Sequence, residues 1–414
     1  MSKRSEFSFD IIAEHENGLG RAGVIHTPHG KIETPTFSVV GTYGEVQKIS
    51  WDKLRKIGAQ VVLSNGYHLS KIADEIDSSG GIAEHFGWNG PTITDSGGYQ
   101  TLSFNDGDKV SMDEKEVATD DSGPSVDNDY FVKITDKGAY FKDNKSTKEI
   151  LFTPEFAMEY EHKIGADIIM AFDQLTDIKN TYEYNVEALE RTRKWAIRCL
   201  KKHQELTNKR DERPYQALYG VLQGAHYPDL RIKAAKDLGS MDFDGFGLGG
   251  AFVKTKLGET LEICCKELPK DKPRHLLGLS KPDDIFAGAE NGADTFDCTA
   301  PTKEARHGRV YTLDGDIDLK KSPYINDESK LYDECNCLTC QNGYTRAEIR
   351  ALIKNTDGKK TAKEAEADKR QAQELLTVHN VYFILNLAKQ IRQSIIDGTF
   401  NEFRDQWLAR YYSK

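Results

Sequence analysis

Three aspartates follow short apolar runs along this chain and are the residues best suited to do chemistry. They are Asp95 after PTIT, Asp173 after DIIMAF and Asp297 after ADTF. Two carboxylates beside the anomeric carbon of a sugar can perform a double displacement, one as nucleophile and the other as acid and then base. That division of labour requires surroundings that separate their pKa values. One aspartate after a strand is more often a helix cap or a salt-bridge partner, so only the joint occurrence indicates a site.

Small and polar residues lie next to these aspartates and next to two further apolar runs. Asp95 is followed by Ser96, Gly97, Gly98, Tyr99 and Gln100, and the runs ALYGVLQ and DGFGLG end at Gln223, Gly224, Gly249 and Gly250. Glycine lets the backbone approach a planar ligand closely. Tyr99 suits stacking on a base and equally suits packing in the core. The pattern predicts a pocket for a flat ring.

A cysteine cluster near the C-terminus predicts a metal site. Cys335, Cys337 and Cys340 have the spacing CxCxxC, and the total of seven cysteines is odd, which is a poor basis for a disulfide framework. His379 is the only histidine downstream of the cluster and completes a set of four ligands. Three thiolates and one imidazole fill a tetrahedral Zn²⁺ site and leave no position for water, so the zinc is expected to be structural. The competing interpretation is free buried cysteines, which we also expect for Cys264 and Cys265.

Eight apolar runs separated by helical patterns must position these residues. They are TPTFSVVG (34–41), QVVLSNG (60–66), PTITDSGG (91–98), DIIMAFDQ (167–174), ALYGVLQG (217–224), DGFGLGG (244–250), RHLLGLS (274–280) and ADTFDC (293–298). Continuous apolar runs are typical of parallel strands buried on both faces. The rhythm predicts an α/β fold, a (β/α)8 TIM barrel, in which polar residues at the strand ends meet at one face. An open doubly wound sheet is the alternative, although no GxGxxG follows the first run.

The chain divides into two predicted parts. Residues 1–300 form the catalytic barrel, with an insertion around 105–150, and residues 301–414 form a zinc-binding subdomain that ends in a helix over 379–398. Helices are also predicted over 154–164, 184–206, 228–238 and 282–291, three of them with proline in the first turn. The insertion includes an acidic loop, 106–129, with nine acidic residues and two lysines, and its composition indicates a mobile loop.

Composition excludes several classes of protein. The 414 residues include 38% hydrophobic and 29% charged residues, as in an ordinary globular protein and unlike collagen or a coiled coil. No apolar stretch is long enough to cross a membrane, and the N-terminus lacks the apolar core of a signal peptide, so we expect a cytoplasmic protein. The net charge of −10 disfavours nucleic acid as a partner unless basic residues cluster locally.

Seven motifs, in order along the chain, resemble those of the tRNA-guanine transglycosylase (queuine tRNA-ribosyltransferase) family, bacterial type. They are GTYG (41–44), TDSGGYQ (94–100), AFDQLT (171–176), GVLQGA (220–225), GLGG (247–250), ADTFDC (293–298) and CNCLTC (335–340). The resemblance implies a barrel with a zinc subdomain, a homodimer, and a tRNA substrate. It also implies exchange of guanine at the anticodon wobble position for a 7-deazaguanine base, 7-aminomethyl-7-deazaguanine, in queuosine biosynthesis.

The resemblance also implies roles for individual residues. Asp297 resembles the nucleophile that forms a covalent bond to the ribose, and Asp95 resembles the residue that transfers the proton of the base. The groups that hold the base would be Asp173, Gln223, Gly250, Tyr99, Ser96 and Gly97. Lys303, Arg306 and Arg309 follow the nucleophile and are expected to bind tRNA phosphates. A second basic run, from Arg346 to Arg370, fits phosphate binding and a solvated helix face about equally.

Several residues depart from the family pattern and leave alternatives open. Gln174 stands where glutamate is common, Leu175 where cysteine is common, and Lys303 where arginine is usual. The sequence AFVKT (251–255) replaces LAVGE, so the glutamate expected to sense an aminomethyl group is missing. The alternatives are a queuine-inserting form of the enzyme, an archaeal-type or DNA-directed relative, and a non-catalytic tRNA-binding partner subunit, which the intact Asp95 and Asp297 disfavour.

Overall fold

The computed structural model describes residues 3–46, 49–99, 130–143, 149–210, 212–354 and 360–413. The acidic loop 106–129 lies outside the described residues. In chain order the strands are β1 (Ser8–Glu14), β2 (Arg21–Thr27), β3 (Gly30–Thr34), β4 (Thr36–Val40), β5 (Val62–Asn65), β6 (Thr92–Asp95), β7 (Tyr130–Thr135), β8 (Gly138–Asp143), β9 (Glu149–Phe152), β10 (Ile168–Met170), β11 (Ala217–Leu222), β12 (Gly245–Leu248), β13 (Arg274–Leu276), β14 (Thr295–Cys298), β15 (Arg309–Val310) and β16 (Ile317–Asp318).

The described helices are of very different lengths. They are α1 (Trp51–Lys56), α2 (Gly66–Leu69), α3 (Ala73–Ser78), α4 (Ile82–Phe86), α5 (Pro154–Ile164), α6 (Tyr182–Lys209), α7 (Pro228–Gly239), α8 (Leu257–Glu267), α9 (Pro282–Glu290), α10 (Ala300–Arg306), α11 (Leu338–Gln341), α12 (Arg346–Lys354), α13 (Ala362–Ile396) and α14 (Phe400–Tyr411). Within the described residues, no helix combines the length and the apolar character needed to span a bilayer.

Eight strands close into a parallel barrel. The ring runs β4, β5, β6, β10, β11, β12, β13, β14 and back to β4. Each of the eight apolar runs contributes one strand, so the predicted (β/α)8 barrel is confirmed and the open sheet is wrong. Most side chains on both faces of these strands are buried, which explains why the runs lack the alternation of a half-exposed strand.

The predicted barrel helices are confirmed, with small shifts at their ends. Helix α5 has the predicted bounds, because Thr153 caps it and Pro154 fits its first turn. Helix α6 begins two residues earlier than predicted, because the Thr181 hydroxyl accepts a hydrogen bond from the Tyr184 N–H. Cys264 and Cys265 are buried in α8, as expected for core residues.

A three-stranded antiparallel sheet, β1 to β3, precedes the barrel and was not predicted. Ile25 and Ile32 of this sheet share an apolar cluster with barrel residues such as Ile93 and Met170. Arg21 forms a buried, two-pronged ion pair with Asp294, the residue directly before β14, at 2.7 and 2.9 Å. The sheet therefore covers the N-terminal end of the barrel and leaves the C-terminal end to other residues.

The described part of the predicted insertion, 130–143 and 149–152, contains a second antiparallel sheet, β7 to β9. Its β7–β8 turn rests on α6. The Asp136 carboxylate accepts hydrogen bonds from Arg191 and Lys194, and its backbone carbonyl accepts one from the Trp195 indole N–H. The insertion is thereby tied to the helix that follows Asp173.

The predicted terminal helix, 379–398, differs from its prediction, because α14 follows it and it is therefore not the last helix. It begins at Ala362 instead of residue 379, because Thr361 and Glu364 form a capping box, so His379 lies in its interior. The same helix contacts β4 and β2 as well as the cysteine segment. Helix α13 is therefore shared between the barrel wall and the predicted subdomain, and the boundary at residue 300 stays a prediction.

Candidate active site and metal cluster

The three predicted aspartates lie at the same end of the barrel. Asp95 is the last residue of β6, Asp297 is in the second half of β14, and Asp173 follows β10. Because the strands are parallel, their carboxyl ends meet at one mouth. In the closed ring β14 lies opposite β10 and three strands away from β6. The nucleophile candidate therefore faces the other two carboxyl groups across the mouth.

Asp95 is held by neutral donors and has a raised pKa. Its carboxylate accepts hydrogen bonds from the Asn65 amide at 2.7 Å and from the Gly66 N–H at 2.9 Å. Burial is the largest cause of the shift, the charge of Asp297 adds to it, and together they raise the pKa of Asp95 to about 7. A carboxyl group that titrates near neutral pH can both donate and accept a proton, as general acid–base catalysis requires.

Asp173 forms a polar cluster with two other predicted site residues. Gln223 donates to its carboxylate at 2.6 Å, and the Ser96 hydroxyl does so at 3.3 Å. Burial raises the pKa of Asp173 to about 6. The Gln223 Oε1 atom is buried and has no hydrogen-bond partner among the described residues. An acceptor pair of this kind suits a ligand edge rich in N–H groups, such as the pyrimidine edge of guanine.

Two glycines make this cluster sterically feasible. A Cβ atom on Gly98 would lie 2.0 Å from Asp173 Oδ1, so only glycine fits there. Gly250 has φ of 102°, a left-handed conformation that favours glycine. A Cβ atom on Gly250 would also lie 2.8 Å from Gln223 Oε1. The backbone of Gly98 therefore borders the Asp173 carboxylate, and the backbone of Gly250 borders the Gln223 amide.

The fully buried Arg231 of α7 supports this region and was not predicted. Its guanidinium donates to the backbone carbonyls of Ala225 at 2.7 Å and Gly249 at 2.6 Å. These carbonyls belong to the loops after β11 and β12, so one side chain ties together the loops that carry Gln223 and Gly250. Nothing local marks this arginine, because its surroundings in sequence are those of an ordinary helix.

Asp297 is oriented by two donors on the same oxygen. His275 Nε2 lies 3.1 Å from Asp297 Oδ1, and the Gly278 N–H donates to that oxygen at 3.1 Å. Asp297 Oδ2 accepts no hydrogen bond from the described residues. The side chain is 13% exposed, which leaves it accessible from the mouth. His275 was not predicted either, since it lies inside the apolar run RHLLGLS.

The remaining predicted residues lie around this mouth or directly after β14. Tyr99 is 47% exposed and so is not a core residue. Lys303 and Arg306 are on α10, and Arg309 begins β15. Gln174 is directed toward α6, where its amide donates to the Tyr184 hydroxyl and accepts from Arg191. Gln174 is therefore engaged away from Asp173, its neighbour in sequence.

The four predicted metal ligands converge. The ligand atoms of Cys335, Cys337, Cys340 and His379 all lie within 4.8 Å of one another, and His379 Nδ1 is 3.4 to 3.6 Å from the three sulfurs. Spacings near 3.5 Å are those of a tetrahedron with bonds of about 2.2 Å. His379 Nε2 donates to the Tyr311 carbonyl at 2.9 Å, which turns Nδ1 toward the sulfurs. The donor set fits one metal ion with a complete shell of protein ligands.

Comparison with known proteins agrees with this geometry. The family described as queuine tRNA-ribosyltransferase matches residues 16–413. A protein of Geobacillus kaustophilus (strain HTA426) named queuine tRNA-ribosyltransferase is 37% identical over 408 residues, 97% of this chain and 96% of the relative. Its namesake from Bacillus subtilis (strain 168) is 36% identical over 412 residues, 98% of this chain and 97% of the relative.

The matches extend over almost the whole chain, including the barrel, the strand-end aspartates and the cysteine cluster. The resemblance seen in the seven motifs is thereby confirmed. The chain belongs to the queuine tRNA-ribosyltransferase family and is a pentosyltransferase.

Proposed function

We propose that this enzyme exchanges guanine at the anticodon wobble position of tRNA for a 7-deazaguanine base, by double displacement through a covalent Asp297–ribose intermediate. The proposal fits family membership and rests most directly on the facing pair of Asp95 and Asp297. Asp95 titrates near pH 7, whereas Asp297 has one oxygen held by two donors and the other free of donors from the described residues.

Each displacement can be written with its atoms balanced. In the first, Asp297 Oδ2 forms a bond to ribose C1′, the bond from C1′ to the guanine nitrogen breaks, and protonated Asp95 supplies a proton to the departing base. In the second, Asp95 accepts the proton of the entering base, whose nitrogen bonds to C1′ while the electron pair of the ester bond returns to Asp297. Both inversions occur at one carbon, so the ribose retains its configuration.

The polar cluster around Asp173 would recognise the base. The Asp173 carboxylate and the Gln223 Oε1 atom, which has no described partner, would accept N–H groups of the pyrimidine edge. The backbone at Gly97 and Gly250 would border the ring, next to Ser96. Tyr99, half exposed beside Gly98, stacks on the ring in this arrangement. The base must leave its stack to enter, which an anticodon loop permits at modest cost.

Basic residues after the nucleophile would hold the tRNA backbone. Lys303, Arg306 and Arg309 follow β14 within twelve residues of Asp297. Phosphate contacts by these side chains would hold the loop whose base enters the pocket. We include in the proposal a homodimer and a cytoplasmic location, the latter because tRNA and reduced metal-binding thiols occur together there.

We assign one structural Zn²⁺ to Cys335, Cys337, Cys340 and His379. Such an ion would cross-link the segment 335–340 to helix α13. Its four protein ligands would leave no coordination position for a reacting water. The apolar cluster around Cys337, Cys340 and Leu376 surrounds the site. The proposal is supported by the all-sulfur-and-imidazole donor set and by the Tyr311 carbonyl that orients His379.

A second candidate is insertion of queuine itself. Residues 251–255, AFVKT, contain no acidic side chain that could pair with the aminomethyl cation of 7-aminomethyl-7-deazaguanine. A competition assay that offers both bases to guanine-containing tRNA would measure the ratio of their kcat/KM values. A ratio in favour of queuine would replace the first candidate base and leave the exchange reaction unchanged.

The covalent mechanism is tested with Asp297→Asn. The variant should show no exchange of labelled guanine into tRNA and no protein–tRNA species on a denaturing gel, while the wild type shows both. Asp271→Asn, an exposed aspartate before β13 at the other end of the barrel, is the matched control and should retain both. Exchange by Asp297→Asn at the wild-type rate would refute the covalent mechanism.

A further inference from the structure

His275 is a buried histidine with both ring nitrogens engaged beside the proposed nucleophile. Strand β13 pairs with β14 so that His275 lies opposite Thr295, and its side chain is 0% exposed. Nδ1 lies 2.7 Å from the Thr295 hydroxyl, and Nε2 lies 3.1 Å from Asp297 Oδ1. One imidazole thus connects two residues of β14, one of which is the nucleophile.

The hydrogen-bond partners assign the ring protons. An ionised carboxylate only accepts hydrogen bonds, so His275 Nε2 must carry the proton that faces Asp297. The Thr295 hydroxyl can donate to Nδ1 of a neutral ring or accept from a charged one. In either state the N–H on Nε2 points at Oδ1. The Gly278 N–H supports the same oxygen from the loop after β13.

We propose that His275 is a positioning residue that selects Oδ2 of Asp297 as the attacking oxygen and stabilises the carboxylate when it is released. The inference rests on the proposed function. With Oδ1 held by His275 and Gly278, the oxygen without a described donor is the one that forms the bond to C1′. In the covalent intermediate Oδ1 becomes the carbonyl oxygen of the ester, and no bond to His275 forms or breaks.

The two half-reactions should depend on His275 to different degrees. A donor to Oδ1 stabilises the anionic carboxylate more than the neutral ester, since hydrogen bonds to charged acceptors are the stronger ones. Negative charge leaves Asp297 when the intermediate forms and returns when the entering base discharges it. Loss of the N–H should therefore slow discharge of the intermediate more than its formation. During formation, the carboxylate without its donor is less well positioned but more nucleophilic, and the two effects partly cancel.

His275→Phe and His275→Gln separate this role from packing. Phenylalanine keeps the ring and removes the donor, whereas the glutamine amide can still donate to Oδ1. Formation is measured as the single-turnover appearance of the covalent species between protein and tRNA on a denaturing gel. Discharge is measured after a chase with free guanine. His275→Phe should slow discharge roughly 10- to 100-fold and formation less than about fivefold, so that the covalent species accumulates, and His275→Gln should recover discharge to within about threefold.

Two further variants control for stability. Thr295→Val removes the support of Nδ1 and should slow discharge in the same direction by a smaller factor. His203→Phe removes another buried imidazole, which pairs with His162 at 3.0 Å and contacts Tyr215 near the N-terminal end of β11. It should lower Tm without changing the ratio of discharge to formation. If His275→Phe fails to fold, the ratio of the discharge rate to the formation rate in His275→Gln and Thr295→Val still tests the role of His275.

Equal slowing of both half-reactions in His275→Phe, or wild-type rates for both, would overturn the inference. In either case the wild type would still form the covalent species, so the proposed function would stand. A wild-type protein that forms no covalent species with guanine-containing tRNA would instead refute the proposed function.

Discussion

Aspartates at the two ends of the barrel have different kinds of partner. At the N-terminal end, three aspartates directly before strands each contact a basic side chain, in the pairs Asp167 with His29, Asp244 with Arg4, and Asp294 with Arg21. At the C-terminal end, Asp95, Asp173 and Asp297 are held by side-chain amides, one hydroxyl, backbone N–H groups and one imidazole. None of these three contacts a lysine or arginine among the described residues.

This difference indicates that the aspartates at the N-terminal end stabilise the fold, whereas those at the C-terminal end are suited to chemistry. A buried ion pair such as Asp294 with Arg21 contributes to folding, because removing one partner would leave the other charge buried and unpaired. Burial raises the pKa of Asp95 to about 7 and the pKa of Asp173 to about 6, so these two carboxyl groups can exchange protons near neutral pH. In barrels of this type the chemistry belongs to the carboxyl end and the structural role to the amino end. Residue type alone does not distinguish the aspartates of one end from those of the other.

The largest effect is expected from exchanging one aspartate at each end. Asp294→Asn should lower the free energy of unfolding by about 3–5 kcal/mol, because Arg21, with a side chain 3% exposed, would keep a buried charge without its partner. Asp297→Asn should leave this free energy within about 1 kcal/mol of the wild type and lower guanine exchange by at least about 10³-fold. Denaturant unfolding and exchange assays on both proteins give the comparison. Similar loss of stability in both would contradict the division between the two ends.

Asp95→Asn should give the next largest effect, in opposite directions for activity and stability. Exchange should fall roughly 10²- to 10³-fold, because the acid and base is lost. The folded-state pKa of about 7 lies above the ordinary value of about 3.9, so the native protein binds a proton that the unfolded chain has lost between those values. Wild-type stability therefore falls as pH rises from about 4 to 7.

Unfolding at pH 4 and pH 8 measures this second effect. Asp95→Asn should gain stability relative to the wild type at pH 8 and little or none at pH 4. A variant less stable than the wild type at pH 8 would show that the Asp95 carboxylate stabilises the fold, as the aspartates of the opposite end do.

His29→Gln should show a smaller effect at the N-terminal end. The hydrogen bond to Asp167 raises the pKa of His29 to about 9, above the ordinary value of about 6.5. The stabilisation is therefore fully present below about pH 6.5 and is lost as pH rises through about 9. The variant should lose about 1–2 kcal/mol at pH 6 and almost nothing at pH 10, with exchange unchanged. Asp167→Asn should remove the same pH dependence; if it persists there, another group is responsible.

The smallest effects should come from the cations near the catalytic end. Lys303→Ala and Arg309→Ala should each raise KM for tRNA about 3- to 10-fold with little change in kcat, and each should reduce the salt dependence of tRNA binding by about one unit of slope. Lys236→Ala, on α7 at the other end, is the control and should change neither quantity. Equal effects of all three would indicate a diffuse electrostatic interaction instead of a tRNA track beside Asp297.

The sequence by itself determined the barrel, the aspartates at its strand ends and the cysteine–histidine cluster. Buried parallel strands leave continuous apolar runs, and parallel pairing brings every strand end to the same mouth, so the runs ending near Asp95 and Asp297 predicted a shared site. The spacing CxCxxC by itself indicates a metal-binding cluster. The sequence TAKE (361–364) is a capping box and could have predicted the start of α13. The prediction instead considered only the basic residues of this segment, as phosphate contacts or as a solvated helix face.

Only the tertiary structure decided which carboxylates pair with cations and which have neutral partners. Arg21 and Asp294 are 273 positions apart, and His275 meets Asp297 only through the register of β13 with β14. Arg231 ties two loops together from within an ordinary helix. These contacts depend on the closure of the ring, on burial and on distances of a few ångströms, and such quantities leave no periodic pattern in a chain. The pKa of a strand-end aspartate follows from them and not from its residue type.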